Sequence, residues 1–74
     1  MGVIRILGPS GDTRVAWDPT DVDDVADVRR RFDEIIRDGY LVFELDERTK
    51  EGTQVHAFDP NARELRAFRP LAGG

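Results

Sequence analysis

The chain has 74 residues, no cysteine, and 15 acidic against 11 basic residues, for a formal charge of −4 and a pI ≈ 4.8. A polypeptide this short buries only about 60% of the surface its unfolded form exposes, which predicts a single domain with a thin core and no deep, enclosed active site. The composition excludes a disulfide framework, a thiolate nucleophile and a cysteine-bound metal, and the acidic balance argues against nucleic-acid binding, which needs a concentrated basic surface.

Residues 3–7 are a short aliphatic run with Ile4 and Ile6 on one face and Val3, Arg5 and Leu7 on the other, the pattern of a strand. Gly8, Pro9, Ser10, Gly11 and Asp12 gather turn formers. Residues 13–18 then alternate Thr13, Val15 and Trp17 with Arg14, Ala16 and Asp18, so the two runs predict an N-terminal hairpin. Asp18-Pro19-Thr20 marks a break, and Thr20 with Asp23 three positions later predicts an N-cap, with Asp21, Asp23 and Asp24 suited to the positive end of a helix. Val22, Val25, Val28, Phe32, Ile35 and Ile36 recur at three- and four-residue steps, so the predicted helix covers residues 20–38. Gly39 is its expected left-handed stop, with Arg37 in the last turn.

Residues 40–46 alternate Leu41, Phe43 and Leu45 against Tyr40, Val42 and Glu44, and a polar loop follows. Residues 53–58 and 64–69 predict two further strands around the turn formers of residues 59–63. The reading is an α+β domain of order ββαβββ, a mixed sheet packed on one helix, occupying residues 1–70 and followed by a flexible tail at 71–74. Its expected core is Ile4, Ile6, Val15, Trp17, Phe32, Ile35, Leu41, Phe43, Val55 and Leu65.

Most candidate chemistry reduces to structure. The Gly8-Pro9-Ser10-Gly11 run lacks a P-loop lysine and precedes a strand, so it reads as a hairpin turn. Asp21, Asp23 and Asp24 lack the glycine and glutamate of a calcium loop and read as helix-start acids. Arg29, Arg30 and Arg31 sit among acids, with Asp27–Arg31 and Asp33–Arg37 at pairing distance, so a solvated helix face is expected. His56 has neither a nucleophile partner nor enough companions for a metal site, and no metal is expected. No segment is long and apolar enough to span a membrane, and the N-terminal residues lack a secretion signal, so no membrane partner and a cytoplasmic location are expected. Trp17, Tyr40, Phe43, Phe58 and Phe68 are mostly core, but alternation must turn some of them outward. Phe68 with Arg69 is the candidate partner surface.

Positive functional content lies at the C-terminus. Pro70 cannot donate to a sheet ladder and ends the last strand. Gly73 and Gly74 lack Cβ atoms and leave a carboxylate open to attack in a narrow channel. Lys50 is the only lysine among eleven cationic residues, hence the sole internal side-chain amine if the chain were conjugated to itself.

The ending Arg69-Pro70-Leu71-Ala72-Gly73-Gly74 resembles that of the ubiquitin-like β-grasp family, which includes prokaryotic ubiquitin-like modifiers and the sulfur carriers of molybdopterin and thiamin synthesis. The small subunit of molybdopterin synthase commonly ends in a strand followed by Pro-Pro-Val-Ala-Gly-Gly. Ubiquitin's Leu-Arg-Leu-Arg-Gly-Gly matches at Leu71, Gly73 and Gly74 and departs at Pro70 and Ala72. The resemblance implies a β-grasp fold or a close variant, and a carrier or modifier that catalyses nothing itself. A partner activating enzyme would use ATP to adenylate the Gly74 carboxylate, with no cofactor bound by the chain. The acyl group would then pass to a conjugating enzyme for protein modification, or become a thiocarboxylate for a sulfur-acceptor enzyme. In that scheme Gly74 carries the reactive carbon, Gly73 threads the channel, and Pro70, Leu71 and Ala72 direct the tail.

Two points stay open at this level. Residues 59–63 are short enough to close a tight hairpin between the last two strands, a different sheet order from the family's long insertion beside the first strand. A non-catalytic interaction or structural module with a passive tail is the alternative function.

Overall fold

The computed structural model describes residues 1–9 and 11–70. Gly2–Gly8 (β1) and Gly11–Trp17 (β2) pair antiparallel from Gly2 opposite Trp17 to Gly8 opposite Gly11. Val22–Arg37 is the helix (α1). Leu41–Leu45 (β3), Gly52–Val55 (β4) and Glu64–Phe68 (β5) complete an α+β fold with a five-stranded mixed sheet, ordered β2-β1-β5-β3-β4.

The helix is fixed at both ends, though its start differs from the expectation. The N-cap is Asp21 rather than Thr20: its Oδ1 accepts from the N–H groups of Asp23 and Asp24 at 3.0 and 3.3 Å. Thr20 is already engaged, since its N–H and hydroxyl both donate to Asp18 Oδ1, at 2.9 and 2.7 Å. At the other end the Gly39 N–H donates to Ile36 O and the Tyr40 N–H to Ile35 O, a Schellman closure with Gly39 at φ +94°. The expected stop at Gly39 is therefore where the chain turns. On the exposed helix face Asp27 pairs with Arg30 at 3.0 Å, one residue short of the anticipated Arg31.

A tight hairpin between the last two strands does not form. β5 lies in the middle of the sheet, parallel to β1 and antiparallel to β3, while β4 pairs with β3 at the edge. The strand expected over residues 53–58 ends at Val55, because the chain must leave the edge and return to the far end of β3. Residues 56–63 make that crossing on the helix side of the sheet, burying Phe58 and Ala62 in the core. Phe58 meets Trp17 edge-on at 5.0 Å and Phe32 at 5.9 Å. Trp17 Nε1 donates to Pro60 O at 2.9 Å, and the Val3 N–H to Arg63 O at 3.0 Å. These contacts hold the crossing down, so β5 enters the sheet beside β1.

Ile4, Ile6, Trp17, Phe32, Ile35 and Leu65 are buried as expected, with Val15 and Val55 half-buried against them. Leu41 and Phe43 do not join the core. Val42 is the fully buried residue of β3, side by side with Ala67 of β5. Strand alternation then turns Leu41, Phe43 and Leu45 to the opposite face.

The Trp17 indole lies directly over Gly2, where a Cβ would fall 2.1 Å from a ring carbon. Gly2→Ala must therefore push a fully buried ring aside. The expected cost is about 1–3 kcal/mol, the range for an overpacked core, checked by urea unfolding.

Candidate functional site

Because β3 presents its larger side chains outward, the sheet has an apolar face on the side away from the helix. Leu7 of β1 stands opposite Phe68 of β5, and Phe68 opposite Leu41 of β3. Phe43 and Phe68 stack with ring centroids 5.4 Å apart and planes 4° from parallel. Leu7 and Phe68 keep 40% and 37% of their surfaces exposed, more than a core role allows. A shallow depression of ≈ 390 Å³ is lined by Leu7, Phe43, Leu45, Gly52, Arg66 and Phe68. An adjoining groove of ≈ 500 Å³ runs from Leu7 and Pro9 past Tyr40 to Phe68, Arg69 and Pro70. Stacked aromatics at the centre of an otherwise charged surface are the usual anchors of a protein interface.

Of the predicted site residues, the structure brings Phe68, Arg69 and Pro70 together at the groove, all exposed. The acyl-donor residues Gly73 and Gly74 and the tail residues Leu71 and Ala72 lie outside the described residues, as does Ser10 of the first turn. Lys50 sits elsewhere, exposed in the turn between β3 and β4 at φ +63°. His56 is exposed just after β4. Leu7, Phe43 and Leu45 were not singled out as surface residues from the sequence; the signal was there, since an alternating segment apolar on both faces must expose one of them.

The Lys50 turn is built on Asp46, whose Oδ1 accepts from the Arg48 and Thr49 N–H groups at 2.8 and 3.0 Å. The Thr49 bond foremost, then the Arg48 bond, holds the Asp46 carboxyl below its ordinary 3.8. Asp18 is likewise lowered, first by the Thr20 N–H and then by the Thr20 hydroxyl. A carboxyl lowered by folding stabilises the fold fully above its unfolded value and loses that contribution as pH falls through the folded value. The melting temperature of the native chain should therefore exceed that of an Asp18→Asn/Asp46→Asn variant at neutral pH. The gap should close as the pH is taken progressively below 3.8; thermal melts across that range check it.

Among the described residues no group of three or more His, Asp or Glu side chains could hold a metal ion, and no helix is long and apolar enough to cross a membrane. The Asp27, Arg30, Arg31 and Glu34 depression on the helix is mixed in charge and exposed. Among the described residues the most distinctive surface feature is the apolar face around Leu7, Phe43 and Phe68. No protein-family model, curated protein or solved structure matches the chain.

Proposed function

We propose that this chain is a ubiquitin-like β-grasp carrier or modifier, docked through its aromatic sheet face and activated at the Gly74 carboxylate by a partner enzyme. The observation that carries the reading is the position of β5. The last strand is central, held on one side by β1 and on the other by β3, so residues following Phe68 start from a rigid element at the rim of the apolar face. A sheet ordered β2-β1-β5-β3-β4, with one helix on one side and a crossing between β4 and β5, is the arrangement expected of a β-grasp domain. The Gly73-Gly74 ending supplies the chemistry. A carboxylate oxygen attacks the α-phosphorus of ATP and pyrophosphate leaves; a thiolate or sulfide then displaces AMP from the acyl carbon. Phe68 and Phe43 hold the partner while the tail enters its active site.

Incubation with Mg-ATP and a candidate activating enzyme from the same organism, followed by intact mass analysis, tests the reading. An adenylate, thioester or thiocarboxylate localised to Gly74 is the expected product. A terminal thiocarboxylate marks the sulfur-transfer branch, and an isopeptide bond to a second protein marks conjugation. Retained cellular function in a chain lacking Gly73 and Gly74 would instead favour the second reading, a non-catalytic interaction module, which the Phe43–Phe68 stack with its exposed Phe68 supports equally.

A further inference from the structure

The apolar face is crossed by a row of like charges. Arg14 of β2 is the register partner of Arg5 of β1, and Arg5 that of Arg66 of β5. Arg66 in turn stands opposite Phe43. Three exposed arginines thus lie side by side on one face, spanning about 10 Å at ordinary strand spacing, and the row runs into the aromatic stack. Like charges directly opposite one another destabilise a sheet, so the row is a cost to the fold. The ion pairs among the described residues are Asp27–Arg30, Glu47–Arg63 and Glu64–Arg66, so Arg66 has partial compensation while Arg5 and Arg14 have none. This stands out on a chain whose net charge is −4.

We propose that the Arg5–Arg14–Arg66 row is the specificity-determining half of the docking face, and that its occupant is an acidic protein segment carrying carboxylates and then bulky apolar side chains at every second position, so that both sets fall on one face of the extended segment. Guanidinium groups pair with carboxylates in a bidentate manner, and the row continues into apolar contacts at Phe43 and Phe68, so one extended segment satisfies both. A second copy of the chain fits badly, because face-to-face pairing sets cationic rows against each other. A nucleic acid fits badly as well: its affinity comes from many phosphate contacts, whereas three arginines flanked by Asp12 and Glu64 on an acidic molecule supply few. The inference rests on reading this face as the carrier's docking surface and adds the chemistry of what docks.

The test is an NMR titration of the full chain with a blocked synthetic peptide that carries two glutamates, a leucine and a phenylalanine at successive every-second positions, with serine between them. Saturable shifts are expected at the amides of Arg5, Arg14, Arg66, Phe43 and Phe68. Affinity should drop about tenfold or more in Arg5→Glu/Arg14→Glu and fall steeply with added salt. The salt series on the native chain keeps the test decisive even if that variant folds poorly. The proposal is overturned by the absence of saturable binding, by equal binding of the lysine-for-glutamate peptide, by preferential binding of an oligonucleotide or phosphatidylserine vesicles, or by self-association through this face. The titration needs neither ATP nor Gly74. Failed peptide binding alongside successful adenylation sinks this inference alone, and the reverse sinks the carrier reading.

Discussion

If the chain is a carrier activated at Gly74, deletion of Gly73 and Gly74 should abolish that activation while leaving the folded domain unchanged. On that reading the loss is complete because the reacting carboxyl carbon is removed and the new terminus at Ala72 is two residues short. The fold is expected to be indifferent because the buried core among the described residues runs from Ile4 to Ala67. Urea unfolding of the truncated chain is therefore expected to lie within about 0.5 kcal/mol of the native chain, the range for surface changes. Phe68→Ala gives the contrasting signature. It keeps the reactive carboxylate but removes half of the Phe43–Phe68 stack from the docking face. A central aromatic anchor is worth about 2 kcal/mol of binding, or roughly 30-fold. Its loss should appear as a raised KM for the chain as substrate of the activating enzyme, with kcat little altered, because the contact is equal in ground and transition states. Steady-state pyrophosphate release with the three proteins separates these outcomes. A truncated chain that is still adenylated would remove the basis of the carrier reading.

The helix and the strands other than β4 were legible in the sequence to within a residue or two at most ends, because each signal was local. Periodic valines and isoleucines, a run of first-turn aspartates and a stopping glycine act over three or four residues and need no knowledge of the rest of the chain. The sheet order was not legible. Whether residues 59–63 close a hairpin or end a crossing is decided by Trp17, more than forty positions away, whose indole holds Pro60 and whose ring edge meets Phe58. The orientation of β3 was missed for a related reason. Leu41, Phe43 and Leu45 outweigh Tyr40, Val42 and Glu44 in apolar bulk, so local pattern turns them inward. The inner layer instead takes Val42 beside Ala67, in one buried cluster with Phe32 and Phe58. That same inversion creates the candidate site, which is why Leu7, Phe43 and Leu45 could not be named as its members beforehand while Phe68, Arg69 and Pro70 could. The arginine row was hidden by the sheet order instead, since Arg66 joins Arg5 and Arg14 of the N-terminal hairpin only once β5 is known to lie beside β1.

Trp17 should prove the most sensitive single position for stability. It is fully buried and is the largest such side chain. It joins three parts of the molecule: the end of β2, the start of β1 at Gly2, and the crossing at Phe58 and Pro60. Trp17→Ala leaves a cavity, strips Phe58 of its edge-on partner and releases the Pro60 carbonyl. Large aromatic truncations of this kind cost about 3–5 kcal/mol, a large share of the roughly 4–11 kcal/mol expected for a domain of this size. The variant should therefore lose a large share of its stability, seen as a much lower urea midpoint, with β5 losing the crossing that delivers it between β1 and β3. Trp17→Leu should fold and allow a double-mutant cycle with Gly2→Ala. In the native chain the added methyl collides with the indole; with leucine at position 17 the ring is gone, and the penalty of Gly2→Ala should shrink toward zero. Additive costs in urea unfolding would mean that Gly2 is constrained by something other than Trp17, and the ring would then not be the clamp that ties the first strand to the crossing beneath the last.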